Sequence, residues 1–143
     1  MMNKTHVQVS LTLEAALVLA KAAMHKGDEL GIKINAVVVD TAGNRLVSLR
    51  EPGAPMPSMD YAEKKAYTAV HFKQPTDKWA AALEGRAVLA NGLAQHEKMA
   101  LFGGGLPVLI EGVVVGAIGV SGGKVAEDIV CAEAAIEALN AVN

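Results

Sequence analysis

Apolar residues recur along the chain in two rhythms. Leu13, Leu17, Ala20 and Met24 follow steps of four, three and four, which is one face of a helix. Ser10 or Thr12 can cap that helix, Glu14 falls in its first turn, Gly27 weakens it and Gly31 ends it. Ile34 to Val39 is an almost unbroken valine-rich run, the pattern of a strand covered on both faces. Asp40-Thr41-Ala42-Gly43-Asn44 is turn chemistry, and Arg45 to Arg50 alternates, so the two runs predict a hairpin. Pro52, Gly53, Pro55 and Pro57 interrupt regular structure before a second helix capped by Ser58, with Asp60 in its first turn. That helix carries Ala62, Ala66 and Ala69 on one face and Tyr61, Lys65, Thr68 and Phe72 on another, and Pro75 stops it. A short segment from Thr76 and Asp77 through Trp79 and Leu83 ends at Gly85. Residues 86–102 show no clear period and suggest a strand or loop near Leu93. Gly103-Gly104-Gly105 precedes a second hairpin, Leu106–Ile110 and Val113–Val120 joined at Glu111-Gly112, with Gly116 and Gly119 inside its second strand. A last helix follows Ser121-Gly122-Gly123, with a stripe of Val125, Ile129, Ala132, Ile136 and Leu139. Hairpins flanked by amphipathic helices predict an α+β fold, an antiparallel sheet with helices on both faces.

The chain's 143 residues suit a single domain, 1–143, with residues 1–10 as a short tail. Aromatics make up only 3% against 52% hydrophobic residues, so Ala, Val and Leu fill the core. A net charge of −2 and no basic run leave no footprint for nucleic acid. No apolar stretch approaches the ~20 residues of a spanning helix. The apolar surplus therefore points to a subunit interface, near the glycine-rich turn or the Cys131 helix. One cysteine excludes an intrachain disulfide, and Met1 to Ser10 lacks the apolar core of a signal peptide, so the expectation is a cytoplasmic protein.

Candidate chemistry is sparse. Of four histidines, His6 and His96 read as surface residues; His96-Glu97 opens like a zinc-helix motif, but position 100 is alanine. No pair has a metal-ligand spacing, so no metal site is expected. His25 and His71, each late in a helix, are candidate haem ligands. Gly103, Gly104 and Gly105 form either a flexible turn or a backbone that approaches a ligand closely. Ser121, Gly122 and Gly123 lead into a helix N-terminus, where free amides can hold a carboxylate or phosphate. Ser121 lacks the context of a hydrolase nucleophile. Lys65, on a mixed stripe with Thr68, either snorkels to water or points inward to meet an acid. Cys131 reads as a buried packing residue.

Four segments together resemble the GlcG/HbpS family, which includes the C-terminal domain of PduO-type proteins. They are Val37-Val38-Val39-Asp40-Thr41-Ala42-Gly43-Asn44-Arg45-Leu46, Lys65-Ala66-Tyr67-Thr68-Ala69, Gly103-Gly104-Gly105-Leu106-Pro107 and Val115-Gly116-Ala117-Ile118-Gly119-Val120-Ser121-Gly122. Asp128 falls where the family has an acidic residue early in its last helix. The resemblance implies a profilin-like fold and a homo-oligomer, with dimers built up into octamers. It also implies haem binding or degradation, or a place beside glycolate, propanediol or glycerol utilisation and corrinoid-dependent enzymes. One departure stands out: where the family often has R-x-D-G-A, this chain reads Arg50-Glu51-Pro52-Gly53-Ala54.

Three functions remain open at this level. The first is an accessory protein binding a small ligand, haem or another tetrapyrrole. The second is an enzyme on a small organic acid, with Arg50, Lys65, Thr68 and the glycine turns holding the acid and Asp128 or Lys65 as the catalytic group. The third is a structural or assembly partner of a metabolic enzyme complex.

Overall fold

Two valine-rich hairpins meet side by side in this computed structural model, which describes residues 1–143. Their strands are β1 (Asn35–Asp40), β2 (Arg45–Arg50), β3 (Gly105–Ile110) and β4 (Val113–Ser121). They form one antiparallel sheet in the order β2-β1-β4-β3. The hairpins are therefore joined through their first and last strands, and β1 and β4 are central. Helices α1 (Leu13–Glu29) and α5 (Val125–Asn140) lie on one face and α2 (Pro57–Phe72) on the other. The chain between α2 and β3 adds a 3₁₀ turn (Thr76–Lys78), α3 (Trp79–Ala82) and α4 (Ala87–Ala94). The result is an α+β sandwich, as the patterning predicts, with the profilin-like arrangement that the family resemblance implies. No helix is long and apolar enough to cross a membrane.

The alternation of side chains along each strand divides the core in two. Ala36, Val38, Ile118 and Val120 pack toward α1 and α5, against Leu19, Ala20, Ala23, Cys131 and Ala135. Val37, Val39 and Ala117 pack toward α2, against Ala62, Ala66 and Ala69. Small residues on both helix faces let the layers approach closely. Gly119 takes this furthest: a Cβ there would fall on the Ala62 carbonyl oxygen of α2, so only glycine allows the helix to lie so near the sheet.

Several local expectations are corrected. Thr12, not Ser10, caps α1: its Oγ1 accepts from the Ala15 amide at 3.1 Å, while Ser10 Oγ accepts from the Thr41 amide at 3.0 Å. The buried stripe of α1 is Ala16, Leu19, Ala20 and Ala23, and Leu13 is exposed. The stripe of α5 is likewise rotated, to Asp128, Cys131, Ala132 and Ala135, with Val125 exposed. Ser58 does not cap α2, which starts at Pro57 with Met56 in the cap position. Ser58 is buried instead, taking a hydrogen bond from Asn35 Nδ2 at 2.6 Å and donating to the Pro55 carbonyl. Residues 87–94 are helical, not a strand or loop around Leu93.

Two outcomes test this packing. Gly119→Ala forces α2 off the sheet and should lower stability by ~1–3 kcal/mol or more in urea unfolding. Burial pushes the Cys131 thiol up to about 11, with Asp128 and Glu127 adding to the effect. Cys131 should therefore resist alkylation at pH 8 in the folded protein and react once the chain is unfolded.

Candidate functional site

Lys65 sits in the middle of α2 with a relative exposure of 0%. Its ammonium reaches the far end of β4, donating to the Val120 carbonyl at 2.8 Å and to Asp128 Oδ2 of α5 at 3.2 Å. The Phe102 ring lies 4.9 Å from Nζ. The other oxygen of Asp128, Oδ1, accepts the Gly123 amide at 2.9 Å. Burial pulls the Lys65 ammonium below the usual lysine range and lifts the Asp128 carboxyl above its own, while the attraction between them opposes both shifts. Gly104 makes room for this side chain. Its φ is +126°, and a Cβ there would stand 2.8 Å from Lys65 Nζ and 2.6 Å from the Val120 oxygen.

The structure thus brings together Lys65, Asp128, the 103–105 turn and the 121–123 turn. Their polar groups are turned on one another. The Gly123 amide is held by Asp128 and the Lys124 amide by Glu127 Oε1, so the chain's own carboxylates take the two amides that lead into this helix. The Gly105 amide donates to Thr76 Oγ1 at 2.9 Å. Thr68 is also occupied, donating to the Lys64 carbonyl and accepting the Ala100 amide. Ser121 is buried at the end of β4, with Gly122 and Gly123 half-buried beyond it. Arg50 lies elsewhere: Asn35 stands between it and Ser121 in the sheet, which puts it two strands away, about 10 Å. Its guanidinium donates to the Ala54 carbonyl at 2.9 Å.

A second constellation lies on the outer side of α2. Gly43, Asp60, Glu63, Lys64, Tyr67, Glu97 and Lys98 line a cleft of about 280 Å³. The Tyr67 ring meets His71 edge-on at 4.4 Å and stacks with His96 at 6.2 Å. His71 lies against the hairpin turn, so close that a Cβ on Gly43 would stand 2.6 Å from Nε2. Lys98 stands 5.6 Å over the Tyr67 ring and Lys64 5.5 Å over that of Tyr61. His25, the other candidate ligand, projects from α1 with its side chain 77% exposed and is paired with Glu29 at 3.2 Å. Tyr67, Lys64, His96 and Lys98 escaped the sequence reading. The i, i+4 spacing of Tyr67 and His71 was the one local signal available; the rest comes from segments far apart in the chain.

A family model described as haem degrading protein HbpS-like matches residues 11–137. The chain belongs to the HbpS-like family. This HbpS-like chain is 38% identical over 137 residues to a 15.0 kDa protein encoded in the dhaT-dhaS intergenic region of Citrobacter freundii, covering 95% of this chain and 96% of that one. It is 37% identical over 134 residues to corrinoid adenosyltransferase PduO of the same organism, covering 92% of this chain but only 40% of PduO. Klebsiella pneumoniae protein ORFY superposes with a TM-score of 0.91 at 35% identity, over 100% of this chain and 99% of that one. A PduOC:heme complex superposes at 0.85 with 32% identity, over 92% and 96%.

The buried pair in this HbpS-like chain makes a sharp prediction. Removing one member of such a pair strands the other in a dry site, at a cost of about 3–5 kcal/mol. Lys65→Met should lose that much stability in chemical denaturation. Adding Asp128→Asn should recover part of it, because the amide oxygen still accepts from Gly123 but carries no charge. A Lys65→Met protein as stable as the parent would show that the pair contributes nothing.

Proposed function

We propose that this protein binds haem or a related tetrapyrrole on the outer side of α2, as an accessory to small-metabolite utilisation of the glycolate, propanediol or glycerol type. One observation carries the reading: His71, an exposed imidazole without an ion-pair partner, lies against Tyr67 and the Gly43 turn, which line an open cleft together with Lys64, Lys98 and the carboxylates of Asp60, Glu63 and Glu97. The donor set suits the group. Imidazole is the usual axial donor to haem iron, Lys64 and Lys98 supply cations for propionates, and the Tyr67 ring, flanked by His71, His96 and Lys98, supports the imidazole. His71 Nε2 faces the Gly43 turn, so ligation takes the ring's other nitrogen or a half-turn of this exposed ring. When bound, the iron supplies the redox or ligand-binding chemistry; the protein holds and orients the macrocycle. At about 280 Å³ the cleft grips one edge of a macrocycle and leaves the rest outside.

Support comes from the family description and from the haem in the PduOC complex. PduO relatives favour a setting beside corrinoid chemistry. The organic-acid reading would need the Lys65 ammonium to face a substrate, and that ammonium is engaged inside the fold.

Haem titration tests the proposal. The parent should give a saturable Soret shift, His71→Ala should weaken binding at least tenfold, and His25→Ala should leave it unchanged. A protein that produces no shift, or one whose shift survives His71→Ala at full affinity, would overturn the assignment.

A further inference from the structure

Buried polar groups are seldom left without partners, and this fold leaves one at the end of its sheet. Asn35, the first residue of β1, is 0% exposed, and its Oδ1 accepts no hydrogen bond. A neighbour fixes how that amide is turned. Ser58 gives its one hydroxyl proton to the Pro55 carbonyl, so it can only accept from Asn35 Nδ2, and Oδ1 points away from it. Asn35 shares the α2 face of the sheet with Val37 and Val39. It is paired across the sheet with Arg50 on one side and Ser121 on the other. Arg50 donates to the Ala54 carbonyl and leaves Oδ1 without a donor. Ser121 is 7% exposed, and the donors around it are turned elsewhere: Lys65 to Val120 and Asp128, Asn35 to Ser58. The register thus sets a lone acceptor beside a free hydroxyl, with Cβ atoms ~4.5–5.5 Å apart.

We infer that Asn35 and Ser121 bind a small neutral molecule with two adjacent hydroxyls. The acceptor decides the chemistry. Oδ1 needs a donor, and a carboxylate has no proton to give it. Arg50 on the next strand disfavours an ammonium, and the Lys65 charge is already matched by Asp128. A hydroxyl remains, donating to Asn35 Oδ1. Ser121 both donates and accepts, which suits a second hydroxyl on the neighbouring carbon. The carbon skeleton has an aromatic wall beside it. Tyr61, one turn after Ser58 on α2, and Phe102 are each 42% exposed, with ring centroids 5.5 Å apart. The Phe102 ring lies 4.9 Å from Lys65 Nζ, which itself donates to Val120, the residue before Ser121. None of these residues lines the cleft on the outer side of α2, and the inference does not rest on haem binding.

An NMR titration with ethylene glycol tests it, read at the Asn35 side-chain amide and the Ser121 backbone amide. The control is 1,2-dimethoxyethane, the same skeleton without donors. The parent should show saturable shifts at both positions with the diol and none with the ether. Asn35→Leu keeps much of the volume and removes the acceptor, so saturation at Ser121 should disappear. Ser121→Ala removes one hydroxyl contact at a strand end and should weaken binding about tenfold. It carries the test alone if Asn35→Leu does not fold. Shifts in the parent that rise linearly with the diol would mean that the acceptor takes water only, and they overturn the proposal. So does an ether that saturates the same amides, or a folded Ser121→Ala protein that binds the diol with the parent's affinity.

Discussion

The ammonium of Lys65 has to be buried, and much of the surrounding architecture follows from that requirement. A charge taken from water needs acceptors and an opposite charge close at hand. The Val120 carbonyl at the end of a central strand and Asp128 on the opposite helix layer supply both. One side chain thereby ties α2, β4 and α5 together past the end of the sheet. Gly104 adopts a positive φ beside it, the Phe102 ring covers it, and the second Asp128 oxygen holds the 121–123 turn through Gly123. The family-like glycines at 103–105 and 121–123 are explained by this packing before any ligand is considered.

That arrangement separates stability from binding. Lys65 and Asp128, both shifted from their ordinary acid–base behaviour by burial, face each other rather than a cleft. Perturbed groups often mark functional sites, but ion pairs within the structure shift them too. The exposed chemistry lies one layer further out, where Tyr67 and His71, two residues after buried Lys65 and three after buried Thr68, turn away from the sheet. A single helix, α2, thus presents its buried ammonium inward and its aromatic and imidazole groups outward.

How far the sequence could be read depended on whether the signal was local. The valine run and Asp40–Asn44 turn define the first hairpin, and Asp40 Oδ1 does accept from the Ala42 and Asn44 amides. Lys65 on a mixed stripe raised the possibility of an inward lysine meeting an acid. Its partner lies 63 positions away, so no spacing rule could name it. The α1 and α5 stripes were rotated because alanine rather than leucine or valine occupies the tightest positions. Ser58 looked like a cap, but its partner Asn35 comes from β1. Helix α4 was missed for a different reason: with no charged residue inside it, it has no polar face to set a period. The cleft draws on the first hairpin turn, α2 and the segment after α4, and only the fold brings these together.

The central claim is that the Lys65 junction belongs to the most stable unit of the molecule. Native-state hydrogen exchange measures this most directly, through the amides of Val120 and Gly123, which donate to Gly104 and Asp128 at the junction. The account predicts that both exchange only through global unfolding, with the same opening free energy as the core amides of β1 and α5. If these two amides exchange early while β1 and α5 remain protected, the junction is peripheral and the claim fails.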